Sequence, residues 1–527
     1  MTVFLLFFAG CSNLLPSVPT PTPDTSSQAE DYIEVDPQPH ERTHAPHGIF
    51  PDDGVLRLAM RHPLTMNPLL NEDYTVAKIL GLIFEPLIIF DDELRPTGHL
   101  ASIEMASDFS SATLTIRPDA IWSDGMPVTS DDLIFSVDVL RLAPDMAIYK
   151  RNIENIASIT RVNSRTVIIN FYQSSATAGY SFNFPIIPEH YYRGHNNSLS
   201  VRNMEPLGNG SFIFSSISPM LSMTLIASPY SFRRRAIIDE IEVLFIPDAT
   251  SHLYAFDQGI VDAIRLPFSE WVKHHSVKSV SHADFPAMYF EFIGFNFNRD
   301  LFLDIDIRRG IAHAFNVDEV MRDVYSHQAV RAVSPIHPYS WMHDDTIEGI
   351  PFDLARASLL RNIDMTGPII ILVNEEHIER IHIAERLAHS LTINQALSSS
   401  RTNHVGFEVV ILPFDEYYER LHAGDFDLFL GGMILNPEPD FLFMFQGGEL
   451  FGYHQELEGL FNNLNSALTE TAFLQAVSQL QQGFVDHVPI ISLGFRHSAI
   501  LTGTRVVIGQ APPNDNVFLF VNEWVVE

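Results

Sequence analysis

The chain has 527 residues, more than a single hydrophobic core accommodates, so two or three domains are expected. Its 65 acidic residues outnumber 32 basic ones, of which only four are Lys, for a formal charge of −33. Such a surface repels phosphate backbones and anionic headgroups, which excludes nucleic acid as a partner, and a lone cysteine, Cys11, excludes a disulfide framework within one chain.

In chain order, the apolar run Val3 to Ala9 is far shorter than the about 20 residues of a spanning helix and suits the hydrophobic region of a signal peptide. Residues 12–50 are rich in Pro, Ser, Thr, Asp and His. They cannot bury enough apolar area to offset their ordering entropy and read as a disordered tether. His40, His44 and His47 within it are either a loose metal-capturing cluster or a polar linker that carries histidines; no metal site is assigned to them.

The folded body opens near Gly54 with a strand candidate, V-L-R-L-A-M, followed by T-M-N-P-L-L-N-E-D-Y, a polar cluster on a connection between two apolar elements. Ala112 to Arg117 alternates as a half-buried strand does, and W-S-D-G supplies the chemistry of a tight turn. Thr129 then precedes Asp132 by three positions, as in a capping box with Asp for Glu, and Leu133, Ile134, Val137 and Leu140 follow at helical spacing. Gly208 and Gly210 permit a sharp turn before a strand. Asn316 stands three before Glu319 as a helix cap, Arg308 and Arg309 are expected to face water or a carboxylate, and Phe352 to Leu360 has a helical pattern. The strand–helix–strand alternation from Ile369 to Gly432 indicates an α/β lobe.

The stretch L-T-I-R-P-D-A-I-W-S-D-G-M-P-V-T-S-D-D-L-I-F-S resembles the signature of the family 5 extracytoplasmic solute-binding proteins, the oligopeptide, dipeptide and nickel receptors of ABC importers. Further phrases resemble the same family in the same order: L-I-F-E-P-L, F-P-I-I-P-E-H, E-P-L-G-N-G-S-F, Y-F-E-F-I-G-F-N-F-N and I-R-R-G-I-A-H-A-F-N-V-D-E. The resemblance runs from about Gly54 to Trp524. It implies an α/β periplasmic-binding-protein-like fold (type II, cluster C), with two lobes of mixed sheets joined by hinge strands and an extra small domain. Lobe I then takes 51–78, 200–288 and 503–527, the small lobe 79–199 and lobe II 289–502. F-A-G-C resembles a bacterial lipobox, which would make Cys11 the lipid anchor and residues 1–11 the leader; since no Lys or Arg precedes the apolar run, a basic segment upstream of Met1 is expected.

The resemblance places Asn71, Glu72, Asp73 and Tyr74 on a loop facing the ligand cleft and Asn296 on a strand near it. Trp341 becomes a stacking platform or, equally, a packed loop residue, and the segment of Leu435 and Asn436 carries specificity. Aligned on Glu438-Pro439, Leu435 stands where peptide-binding members hold the ligand's ammonium with Asp. Blocked peptides, sugars and metal chelates therefore stand beside free peptides as ligands. The chain shows no G-x-S-x-G, H-E-x-x-H or C-x-x-C and is read as a non-enzyme without cofactor. The implied partners are a small solute and ABC permease and ATPase subunits, with the protein a lipid-anchored monomer on the extracytoplasmic face of the membrane. A peptide-sensing role without import is the alternative.

Overall fold

Alternate residues of the first strand, Val55–Met60, turn Leu56, Leu58 and Met60 into the interior. The strand lies parallel to Glu240–Phe245, which continues antiparallel to Ser222–Ala227 and Phe212–Ser218 in a four-stranded sheet. The computed structural model describes residues 54–527 apart from 196–199, 267–279, 358–366, 397–405, 440–454, 513 and 515. The leader, Cys11, the tether with its histidines and residues 358–360 lie outside the described residues.

A second four-stranded sheet, all antiparallel, runs Ala101–Met105, Ser111–Ile116, Thr166–Phe171, Ile156–Arg161. It shares one apolar core with the first sheet. The W-S-D-G turn feeds this sheet into the helix Ser130–Leu142. Gly125 adopts φ +87, which an L side chain would strain, and its N–H bonds Trp122 O at 2.9 Å. Asp132 ties the corner together. Its Oδ2 accepts from the Thr129 N–H at 2.8 Å and from the fully buried Trp122 Nε1 at 3.2 Å, and its Oδ1 from the Glu189 N–H at 2.8 Å.

The largest sheet has seven strands and two apolar faces, each covered by its own core. Its spine is the long antiparallel pair Val280–Phe295 and Ile490–Gly503, in register from Val280 opposite Gly503 to Gly294 opposite Ile490 with two irregularities. The strand Val280–Phe295 continues through position 288, where the sequence puts a lobe boundary, although its pairing is irregular between Pro286 and Tyr289, and Ala263–Leu266 adds to the edge. Ile369–Asn374, flanked in parallel by Phe407–Leu412 and Leu428–Ile434, supplies the α/β part, with helices Ile378–Ala396 and Phe414–Ala423 between them. The chain's end is fastened by Arg505, whose Nε and Nη2 each donate to Asp262 at 2.7 Å; the carboxylate is fully buried.

One local expectation is corrected. Arg308 does not face water: it is 4% exposed and donates to the carbonyls of Phe302, His487 and Val488, satisfying the end of the helix Glu470–His487. Gly208 and Gly210 stand just before the strand Phe212–Ser218 and permit a close approach, since a Cβ at Gly208 would lie 2.1 Å from Ile83 O. Of the Phe352 to Leu360 pattern, a turn at 354–355 leads into 3-10 helix at 356–357, Ala357 packs into the core, and 358–360 lie outside the described residues. The Asn316 cap forms as expected, its Oδ1 accepting from the Glu319 N–H at 3.2 Å.

Candidate functional site

A cavity of about 580 Å³ opens where three parts of the chain meet. One wall is the helix Tyr74–Leu80 with the turn to Pro86, a second the segments 148–154 and 180–185, and the third Asn436, Pro437 and Glu438 from beyond the strand Leu428–Ile434; Arg233, Asn516 and Leu519 complete it. The volume lies in the range of small-ligand sites.

The first wall is set by the N-E-D-Y segment. Asp73 caps its helix, Oδ1 accepting from the N–H groups of Thr75 and Val76. Asn71 is buried and turns onto its own chain, Oδ1 taking the Asp73 N–H at 3.2 Å and Nδ2 donating to Asp73 O at 2.7 Å. Its carbonyl accepts from the Ile148 N–H at 3.1 Å, which fixes the second wall against the first. Asn71 and Asp73 therefore position the wall, Tyr74 lines the cavity, and Glu72 is exposed to one side.

The E-P-L-G-N-G loop sets the floor. Gly210 N–H donates to Ile83 O at 2.7 Å, and Asn209 Oδ1 accepts from the Glu85 N–H at 3.0 Å. The Glu85 carboxylate is almost wholly buried, with His99 Nε2 2.6 Å from one oxygen and the Arg233 guanidinium 3.7 Å from the other. Glu438 accepts from Thr177 Oγ1 at 2.6 Å, a contact across 261 positions of chain.

Two phenols stand side by side. Burial raises the Tyr74 hydroxyl above its ordinary range, an effect that the neighbouring Arg151 charge opposes. Burial, with the Tyr74 phenol beside it, pushes Tyr149 up to about 12. Both remain protonated hydrogen-bond donors at neutral pH. Arg151 is exposed on the short 3-10 turn Lys150–Ile153, and its side chain meets no carboxylate or carbonyl among the described residues.

The remaining expected residues fall elsewhere. Asn296 is buried at a distant corner, Nδ2 donating to Gly424 O and Phe426 O and Oδ1 accepting from the Asn298 N–H. Leu435 packs in the apolar core below the cavity, its N–H on Met288 O at 2.8 Å, whereas Asn436 lines the cavity. Trp341 sits behind the cavity: its Nε1 donates to Tyr180 Oη at 2.9 Å, the Arg95 guanidinium lies 4.0 Å over its ring, and Phe473 packs beside it. Thus Tyr74 and Asn436 line the cavity, and Asn71, Glu72, Asp73, Asn296, Trp341 and Leu435 do not. Lys78, Glu85, Tyr149, Arg151 and Arg233 line it without having been singled out from the sequence. The scarcity of basic residues was the available signal, because Lys150-Arg151 is a basic pair next to Tyr149 in a strongly acidic chain.

The family model described as "Bacterial extracellular solute-binding proteins, family 5 Middle" matches residues 95–449. A Brucella ovis protein bearing the name of an ABC transporter peptide-binding protein is 23% identical over 376 residues, 68% of this chain and 69% of its own. Among solved structures, the ABC transporter substrate-binding protein CtaP of Listeria monocytogenes is similar with a TM-score of 0.77 at 17% identity, covering 90% of this chain and 99% of that one. The oligopeptide-binding protein AppA of Bacillus subtilis, solved with a nonapeptide, gives 0.64 at 18% identity, covering 90% and 98%. These likenesses establish the periplasmic-binding architecture of two mixed-sheet lobes that the sequence led one to expect.

Proposed function

The chain belongs to the bacterial extracellular solute-binding proteins of family 5, and on that premise we propose that it captures a peptide or peptide-like solute in the 580 Å³ cavity and hands it to the permease and ATPase of an ABC importer. The observation that carries the reading is the composition of that cavity: its walls come from segments more than 250 positions apart, Tyr74 to Pro86 and Asn436 to Glu438, so a solute held there binds both at once. A ligand that binds the closed arrangement better than the open one shifts the population toward the form a permease can recognise. Relatives named for peptide binding support the solute class. Among the described residues no helix is long and apolar enough to cross a membrane. Membrane attachment is assigned to a lipid on Cys11, with the protein an extracytoplasmic monomer that performs no chemistry on its cargo.

The solute class has a refinement. Leu435, at the position of the family's ammonium-binding Asp, is 5% exposed in an apolar core that also holds Leu94, Tyr180 and Phe426. A charged ammonium has no counter-charge there, and burying one unpaired is costly. The solute therefore does not depend on a free α-ammonium at this place. Native mass spectrometry of the purified protein should detect a co-purified peptide-like solute, and titration calorimetry should give equal affinities for free and N-acetylated peptides. A requirement for the free amine would overturn the refinement. A co-purified sugar or metal chelate, with no peptide bound, would overturn the peptide reading.

A further inference from the structure

We infer that Arg151 is the docking point for the anionic end of the solute, so that the cargo is a carboxylate-bearing peptide-like molecule held by its carboxylate at the Tyr74–Tyr149 wall. This rests on the reading of the cavity as the solute pocket. The charges that line the cavity are Lys78, Arg151 and Arg233 against Glu85, Glu154 and Glu438. In a chain with twice as many acids as bases, that balance is a local concentration of positive charge. Glu85 is nearly closed off from solvent between His99 and Arg233, and Glu438 is engaged by Thr177. Arg151 has no such partner among the described residues, and neither has Glu154, three positions further along the same turn.

Two features separate these spare charges. Arg151 and Tyr149 line the cavity beside Tyr74, and both phenols are protonated at neutral pH. A carboxylate arriving there meets a planar guanidinium with paired N–H donors and two O–H donors, the combination that carboxylates bind best. An ammonium at the same wall would meet the hydroxyl groups, with Glu154 the carboxylate that follows Arg151 by three positions. The position follows from the fold. The Ile148 N–H bond to Asn71 O holds the 148–154 turn against the capped helix, which brings Arg151 to the Tyr74 side.

The test uses calorimetry on the full chain with two probe sets: N-acetylated tetrapeptides ending in a free carboxylate, and the same peptides amidated. Wild-type protein should prefer the acids by about tenfold to a hundredfold, the worth of one charge-assisted hydrogen-bonded contact. Arg151→Gln should erase that preference while leaving the amides unaffected, and Arg151→Lys should restore it in part. Glu154→Gln should tighten acid binding by up to about fivefold, as removal of one exposed like charge does. Equal binding of acids and amides by wild type, or weakening by Glu154→Gln with no effect of Arg151→Gln, would overturn the assignment while leaving the pocket intact. Failure of both probe sets to bind wild-type protein would overturn the pocket reading and this inference with it. Unchanged thermal unfolding of Arg151→Gln separates lost recognition from lost folding.

Discussion

Among the regions of this molecule that place an arginine beside aromatic rings, two differ in what the arginine has left to offer. In the hairpin Ile88–Phe90 and Pro96–Gly98, Arg95 lies 4.0 Å over the Trp341 ring and 3.2 Å from Glu470, while Trp341 donates to Tyr180, whose hydroxyl donates to Leu94 O at 3.1 Å. The chain itself supplies a partner for each of these polar groups. At the cavity wall, Arg151 stands by Tyr74 and Tyr149 with no partner among the described residues. The same residue types thus clamp two parts of the fold together in one place and leave a charge available to a solute in the other. Which role an arginine takes depends on whether its counter-groups lie within the chain.

The clamp should fail most visibly at its tip. Leu94 is 2% exposed in the core of the seven-stranded sheet and adopts φ +60, a conformation that costs a non-glycine residue about 1–2 kcal/mol. Leu94→Ala removes the burial that offsets this strain, and chemical denaturation should show a loss of about 2–5 kcal/mol. Unaltered stability would mean that the tip does not hold the lobes.

A pH effect belongs to the same side. His337, in the loop that leads to Trp341, packs against Phe495 at a ring distance of 4.5 Å; burial, with His497 and His343 nearby, depresses it to about 3 from its usual 6.5. Because the folded form resists protonation, this contribution to stability is present above pH 6.5 and is lost as pH falls from 6.5 toward 3. The denaturation midpoint of His337→Gln should therefore fall less steeply with acid than that of the wild type. Parallel pH profiles would rule His337 out as a source of acid sensitivity.

Trp341→Phe keeps a ring under Arg95 but removes the N–H donated to Tyr180, and should cost about 1–2 kcal/mol by the same assay. Arg95→Ala deletes a half-exposed contact worth about 0.5–1 kcal/mol, since its Glu470 pair is open to solvent. At the cavity wall the stability effect should be smallest of all. Arg151→Gln should change unfolding by no more than about 0.5 kcal/mol, because the exposed Arg151 side chain makes no hydrogen bond or ion pair among the described residues. A large loss there would erase the contrast between the two regions.

Much of the fold was legible because its signals are local. V-L-R-L-A-M marked the strand Val55–Met60, alternation over Ala112 to Arg117 the strand Ser111–Ile116, Thr129 with Asp132 the start of Ser130–Leu142, and Asn316 with Glu319 the start of Val317–Val324. The N-E-D-Y segment was expected to face the ligand cleft as a whole, which does not distinguish its four residues. Asn71 and Asp73 spend their side chains on neighbouring backbone groups, and Tyr74 alone of the four lines the cavity.

What the sequence determined by itself is therefore what a few adjacent residues encode: period, cap, turn and the ordered phrases that mark the family. Tertiary structure decided the rest, because it depends on partners remote in the chain. Trp341 meets Tyr180 across 161 positions and Arg95 meets Glu470 across 375. The αL conformation of Leu94, beside Asp and Glu residues better suited to a turn, is set by the apolar core it enters rather than by local propensity. Arg151 acquires its significance in the same way, since its lack of an ion-pair partner among the described residues is visible only once the groups around the cavity are in place.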